Sequence, residues 1–148
     1  MNFANEQALT SLAEIQPIQG WDDFLEDGRR YLRTATGAFY NGNRVFTPEI
    51  LYNLVAMAIE KFVMAALMRH GTMPYNHTMT DLVEAMEETF PHAIDGLRDG
   101  LLKLDTYQDI CDPYDFKIVP PPQKEIPAML ELGKKLQDLV ESELTTNE

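Results

Sequence analysis

The sequence has one cysteine, Cys111, in 148 residues. An internal disulfide is thereby excluded, and a chain of this length can bury a sufficient core without such staples. Cations are scarce, since twelve Lys and Arg stand against twenty-four Asp and Glu, a formal net charge of −12. Phosphate backbones are held by clustered cations, so a general affinity for nucleic acid is not expected. Long apolar runs are missing as well. Glu60 and Lys61 divide the longest one, and no stretch reaches the roughly 18 uncharged apolar residues of a membrane span. The opening residues, "MNFANEQALTSLAEIQ", lack the positive start and apolar centre of a signal peptide or anchor. These absences predict a soluble, cytoplasmic chain with no membrane partner.

Several signatures of catalysis are absent too. No Glu-x-x-His pair of the kind that builds a di-metal site in a helical bundle occurs, and Pro91 interrupts the approach from Glu88 to His92. Cys111 has no neighbouring His or basic setting to activate a thiolate. A Gly-rich phosphate loop and a Gly-x-Ser-x-Gly elbow are both missing. The expectation is no metal and no cofactor.

What is present is helical periodicity. Trp21, Phe24, Leu25, Tyr31, Leu32, Ala35 and Phe39 recur at three- and four-residue steps, and "YNGNR" then supplies a turn. Thr47, Pro48 and Glu49 form a start signal, with an N-cap hydroxyl, a proline at the first helical position and an acid at the positive end of the dipole. The helix that follows runs to about His70 and is apolar over more than one stripe, so it is the expected central helix. Gly71 ends it, Thr78 and Asp81 open a third helix, and Pro91 closes that one. Ile94, Leu97, Leu101 and Leu104 mark a fourth helix that Gly96 and Gly100 weaken. Met129, Leu132, Leu136, Leu139 and Val140 mark a fifth, with Lys134 and Lys135 outside.

Between the last two, residues 105–123 have no sustained period and contain three consecutive prolines, as expected of an extended loop. The short "FKIV" is the one strand-like stretch. The predicted organisation is an N-terminal arm over 1–20, an all-α, up-and-down bundle of four to five helices over 21–144, and a frayed C-terminus over 145–148.

Candidate site residues cluster in "EKFVMAALMRHGTMPYNH", residues 60–77. Glu60, Lys61, Arg69, His70 and His77 could converge if the chain folds back after Gly71. Glu60 shares one helix face with Glu49 and Asn53, a pattern that also suits a solvated or dimer-facing stripe. Lys61 would pair locally or extend to solvent. A cation at Arg69 suits the last turn of a helix whether or not it holds an anion. The imidazole of His77 could act as a base or phosphate ligand, or simply bond the backbone at the next helix start. Arg29, Arg30 and Arg33 form the densest basic cluster, and "WDDFLED" just before them favours an ion-pair surface.

The order of a helix carrying "AIEKFVMAALMRHG", a polar link, a His opening "HTMTDL", an irregular segment and a closing helix resembles the HEPN superfamily over roughly residues 21–144. The resemblance implies an often dimeric bundle, of the kind found among nucleotidyltransferase partners, toxins and defence proteins, some of them nucleotide-binding. Many of its members cleave RNA without metal through an Arg followed, a few residues later, by a His. That spacing is absent: Arg69 is followed at once by His70 and next by His77. The Arg-Tyr-Pro-like triplet of relatives has its nearest counterpart in "DPYDF", where Tyr114 matches the aromatic and Asp112 and Asp115 replace cations. Acids there repel phosphate.

The reading that follows is a non-catalytic, homodimeric, HEPN-like interaction or binding module, with Glu60, Lys61 and Tyr114 as ligand-binding candidates. Its alternatives are a metal-independent ribonuclease using Arg69 and His77, and a purely structural subunit.

Overall fold

In the computed structural model, residues 16–109 and 117–146 are described. Among them are five α-helices: α1 (Trp21–Tyr40), α2 (Pro48–Arg69), α3 (Met79–Thr89), α4 (Arg98–Lys103) and α5 (Ile126–Thr146). Short 3-10 turns at Leu104–Tyr107 and Gln123–Glu125 flank a two-residue antiparallel pair in which Gln108 faces Ile118 and Asp109 faces Lys117. The strand-like reading of "FKIV" falls on that pair.

Local chemistry sets the helix ends. Thr47 Oγ1 accepts from the Ile50 amide at 3.3 Å and Pro48 opens α2, so two of the unpaired groups of that terminus are dealt with at once. Gly71, at φ 74°, ends the helix in a left-handed conformation that a side chain would resist. The start of α3 is capped twice. Thr78 Oγ1 accepts from the Asp81 amide at 3.1 Å, while Asp105, distant in sequence, accepts from the Met79 and Thr80 amides at 3.3 Å.

The middle helix, α2, is the hub. It packs most extensively on α1, then on α5, then on α3. Val55, Ala58, Ile59, Phe62, Ala65, Ala66 and Leu67 are all fully enclosed. By length and composition α2 is apolar enough to cross a membrane, yet 61% of its most apolar window is buried inside the protein. The neighbouring helices thus account for most of its apolar surface, while Ile50 and Met57 stay exposed.

The axis of α1 lies close to that of α2 because Gly28 admits it. A Cβ at Gly28 would sit 2.7 Å from the Phe62 ring. Gly133 plays a similar part on α5, where a Cβ would stand 3.0 Å from Leu32. At the far end of α2, the Ile18 amide donates to the Met68 carbonyl at 2.8 Å, so residues 16–20 lie over the helix end instead of extending away.

The fourth helix is shorter than its apolar spacing predicts. Residues 91–97 form turns and the α-helix begins only at Arg98. His92 takes a positive φ of 68°, a conformation outside the helical range. Gly100 packs against Leu132, whereas a Cβ at Gly96 would meet nothing. Of these two glycines, Gly100 alone allows a close approach. The last helix extends through Thr146, inside the segment expected to fray.

Candidate functional site

Of the five candidates in residues 60–77, Glu60 and His77 meet. His77 Nδ1 lies 3.0 Å from Glu60 Oε1, with the side chains 55% and 34% exposed. The link after Gly71 thus runs back along α2 by nine residues, about 13 Å of helix. Thr78 and Asp105 fill the backbone-capping role at the start of α3, and His77 bonds the Glu60 carboxylate instead. A histidine beside a carboxylate can exchange a proton, although both side chains of this pair are partly exposed to solvent.

Lys61 and Arg69 go elsewhere. Lys61 Nζ stands 4.4 Å from the centroid of the Phe24 ring, and Arg69 Cζ stands 5.7 Å from that of Trp21. Both cations therefore cover aromatic rings at the start of α1, a contact worth about 0.5–1 kcal/mol at an exposed site. Arg69 is nine positions beyond Glu60, so the two leave α2 on faces about 180° apart. Within one protomer Arg69 and His77 are not brought together. His70, between them in sequence, packs edge-on against Phe90 at 4.5 Å between ring centroids. Tyr114 and Cys111 lie outside the described residues.

Two clefts, neither foreseen as a site, flank α5. The smaller, about 320 Å³, lies between α4 and α5 over Leu97, Gly100 and Leu132. At its edge the Tyr107 hydroxyl donates to Glu125, and Lys103 Nζ approaches the same carboxylate at 3.7 Å. Desolvation, then the bond to Glu125, push the Tyr107 phenol up to about 12. The Tyr107 bond and the nearby Lys103 hold Glu125 below the usual carboxylate value. This cluster fastens the 3-10 turn to the start of α5.

The larger cleft is a groove of about 1000 Å³ between α1 and α5. Arg29, Arg33, Lys124 and Lys134 line it, with Glu131 as the one acid. The basic cluster of α1 divides as the preceding acids suggest: Arg29 pairs with Glu26 at 3.5 Å and Arg30 with Asp27 at 2.5 Å. Arg29 also reaches across to Glu141 at 2.7 Å, tying the two helices together. Burial pushes Glu141 up, but bonds from Gln137 and Arg29 outweigh it and leave the group below its ordinary value. The signal for this groove in the sequence is only partial, because Lys124 and Lys134 lie about a hundred residues beyond the arginines.

Among the described residues no charged side chain is fully buried, and no three His, Cys, Asp or Glu side chains are placed to share a metal ion. Comparisons of the chain with protein-family models, with curated proteins and with solved structures find no match.

Proposed function

We propose that this chain is a non-catalytic interaction module, HEPN-like in architecture, that works as a homodimer through the outward stripe of α2. The observation that carries the reading is the exposure of Ile50 and Met57, each 41% exposed and one heptad apart on a helix otherwise packed into the core. Asn53 and Glu60 continue that line at helical spacing. The link that carries His77 to Glu60 adds two more exposed apolar side chains, Met73 and Tyr75, the latter 94% exposed. Single exposed apolar residues are ordinary, whereas a row of them on the central helix is a surface for a partner.

A second copy suits it. A twofold axis through Asn53 sets Ile50 against Met57 of the partner subunit and pairs the two Asn53 amides, a polar contact that fixes register. The ribonuclease alternative needs Arg69 and His77 at one phosphate, and their placement on opposite sides of α2 gives it no support within a protomer.

Sedimentation equilibrium tests the proposal. The expected result is a species of twice the 16.9 kDa chain mass that Met57→Glu converts to a folded monomer with unchanged helical content. A wild-type chain that stays monomeric from micromolar to near-millimolar concentration overturns it.

A further inference from the structure

We infer that the groove between α1 and α5 is a binding site for a small organic phosphate, with the phosphate held by Arg33 and Lys124 and the apolar part laid over Gly37. Charge is the first ground. The chain carries a net −12, yet four of its twelve Lys and Arg line this one groove against a single Glu131. Most of the acids that could neutralise them are already engaged. Glu131 pairs with Lys135, Glu141 with Arg29, and Asp138 with Lys134. Arg33 and Lys124 form no ion pair within 4 Å among the described residues; Glu125, whose field Lys124 feels, is itself bonded to Tyr107 and near Lys103, and the two cations reach the groove from different elements. A doubly charged anion placed there gains charge-assisted hydrogen bonds that the protein's own carboxylates do not provide.

The groove floor is the second ground. Leu32 and Leu130 are buried beneath it, and Tyr40, 66% exposed, stands at its rim. Gly37 lies in the floor within α1, where its φ is helical and a Cβ would meet nothing within 4 Å. Glycine is among the poorest helix formers, and neither backbone geometry nor packing in the fold requires it here. What the missing side chain leaves is open groove. The volume, about 1000 Å³, is at the upper end of the range that takes a small ligand, in which an apolar body is oriented by a few polar groups.

The test is calorimetric titration with 1-naphthyl phosphate, with inorganic phosphate and 1-naphthol as controls, on the wild type, Gly37→Leu and the double variant Arg33→Gln, Lys124→Gln. The ester is expected to bind, and each control to bind at least about tenfold more weakly, since a charged hydrogen-bond partner and an apolar contact each contribute about that factor. The double variant should lose at least about tenfold in affinity for the ester, and raising the salt should weaken wild-type binding. Gly37→Leu should abolish binding while melting no lower than wild type, because leucine favours the helix and fills only open space. No binding of the ester at millimolar concentration overturns the inference. So does equal binding of naphthol or of inorganic phosphate, or full affinity in the double variant or in Gly37→Leu.

Discussion

The Tyr52 hydroxyl donates to the Leu104 carbonyl at 2.8 Å across 52 positions of sequence, in the buried interior. The central helix thereby holds the 3-10 turn that follows α4, and the ring of Tyr107 in that turn packs edge-on against Tyr52 at 5.5 Å. Removing the hydroxyl leaves a buried carbonyl without this donor. Tyr52→Phe is expected to destabilise the fold by about 1–3 kcal/mol, measured as a lower midpoint of urea unfolding with unchanged slope. An unchanged midpoint would mean that water replaces the hydroxyl.

Gly28 and Phe62 make a second such dependence. Alanine normally stabilises a helix interior by about 1 kcal/mol over glycine, but here the added Cβ meets a fully buried ring at 2.7 Å. Overpacking of this kind costs about 1–3 kcal/mol, so Gly28→Ala should lower the melting temperature. Phe62→Leu in the same chain should recover part of the loss, and strict additivity of the two substitutions would contradict the contact.

Acid should weaken the fold through Glu141 and Glu125. Both carboxylates titrate below their ordinary value in the folded chain. A depressed group favours the folded state when ionised, so its contribution is present above pH of about 4.5 and disappears as pH falls through the lower folded value. Urea midpoints measured from pH 6 downward should fall below pH of about 4.5, and less steeply in Glu141→Gln. At the alkaline end the sign reverses. Tyr107 is raised to about 12, so its contribution is complete below pH of about 10 and is lost as pH rises toward the folded value. Tyr107→Phe should remove that alkaline loss.

Arg69 and His77 should behave independently. Arg69→Ala removes the contact with Trp21 and should cost about 0.5–1 kcal/mol, while His77→Ala removes only an exposed pair with Glu60, worth about 0–1 kcal/mol. In the double variant the losses should add to within about 0.5 kcal/mol. A coupling above about 1 kcal/mol would show that the two side chains share a partner.

Helix boundaries written in local chemistry are legible in the sequence. Thr47 and Pro48 open α2, Thr78 opens α3, Gly71 stops α2, and Pro91 follows Phe90, the C-cap of α3. Each depends on residues within one turn of the boundary. The start of α4 is less legible, because Ile94 and Leu97 are spaced for a helix although residues 91–97 turn to bring Ile94 into the core. Apolar spacing reports which residues become buried, and a run of turns can bury them as well as a helix does. The candidate site divides in the same way. A meeting of Glu60 and His77 follows once the chain folds back after Gly71, whereas the preference of Lys61 and Arg69 for Phe24 and Trp21 depends on a helix forty residues earlier.

Composition and periodicity suffice for the all-α class and for α2 as the central element, because a helix apolar over more than one stripe needs several neighbours. The carboxylate of Asp105 at the start of α3, the donor that Tyr52 brings to Leu104, and the cations gathered between α1 and α5 were decided only by packing. Each joins residues far apart in the chain. Their meeting depends on helix directions and on the close approaches that Gly28 and Gly133 permit, and no local pattern of residue types encodes those.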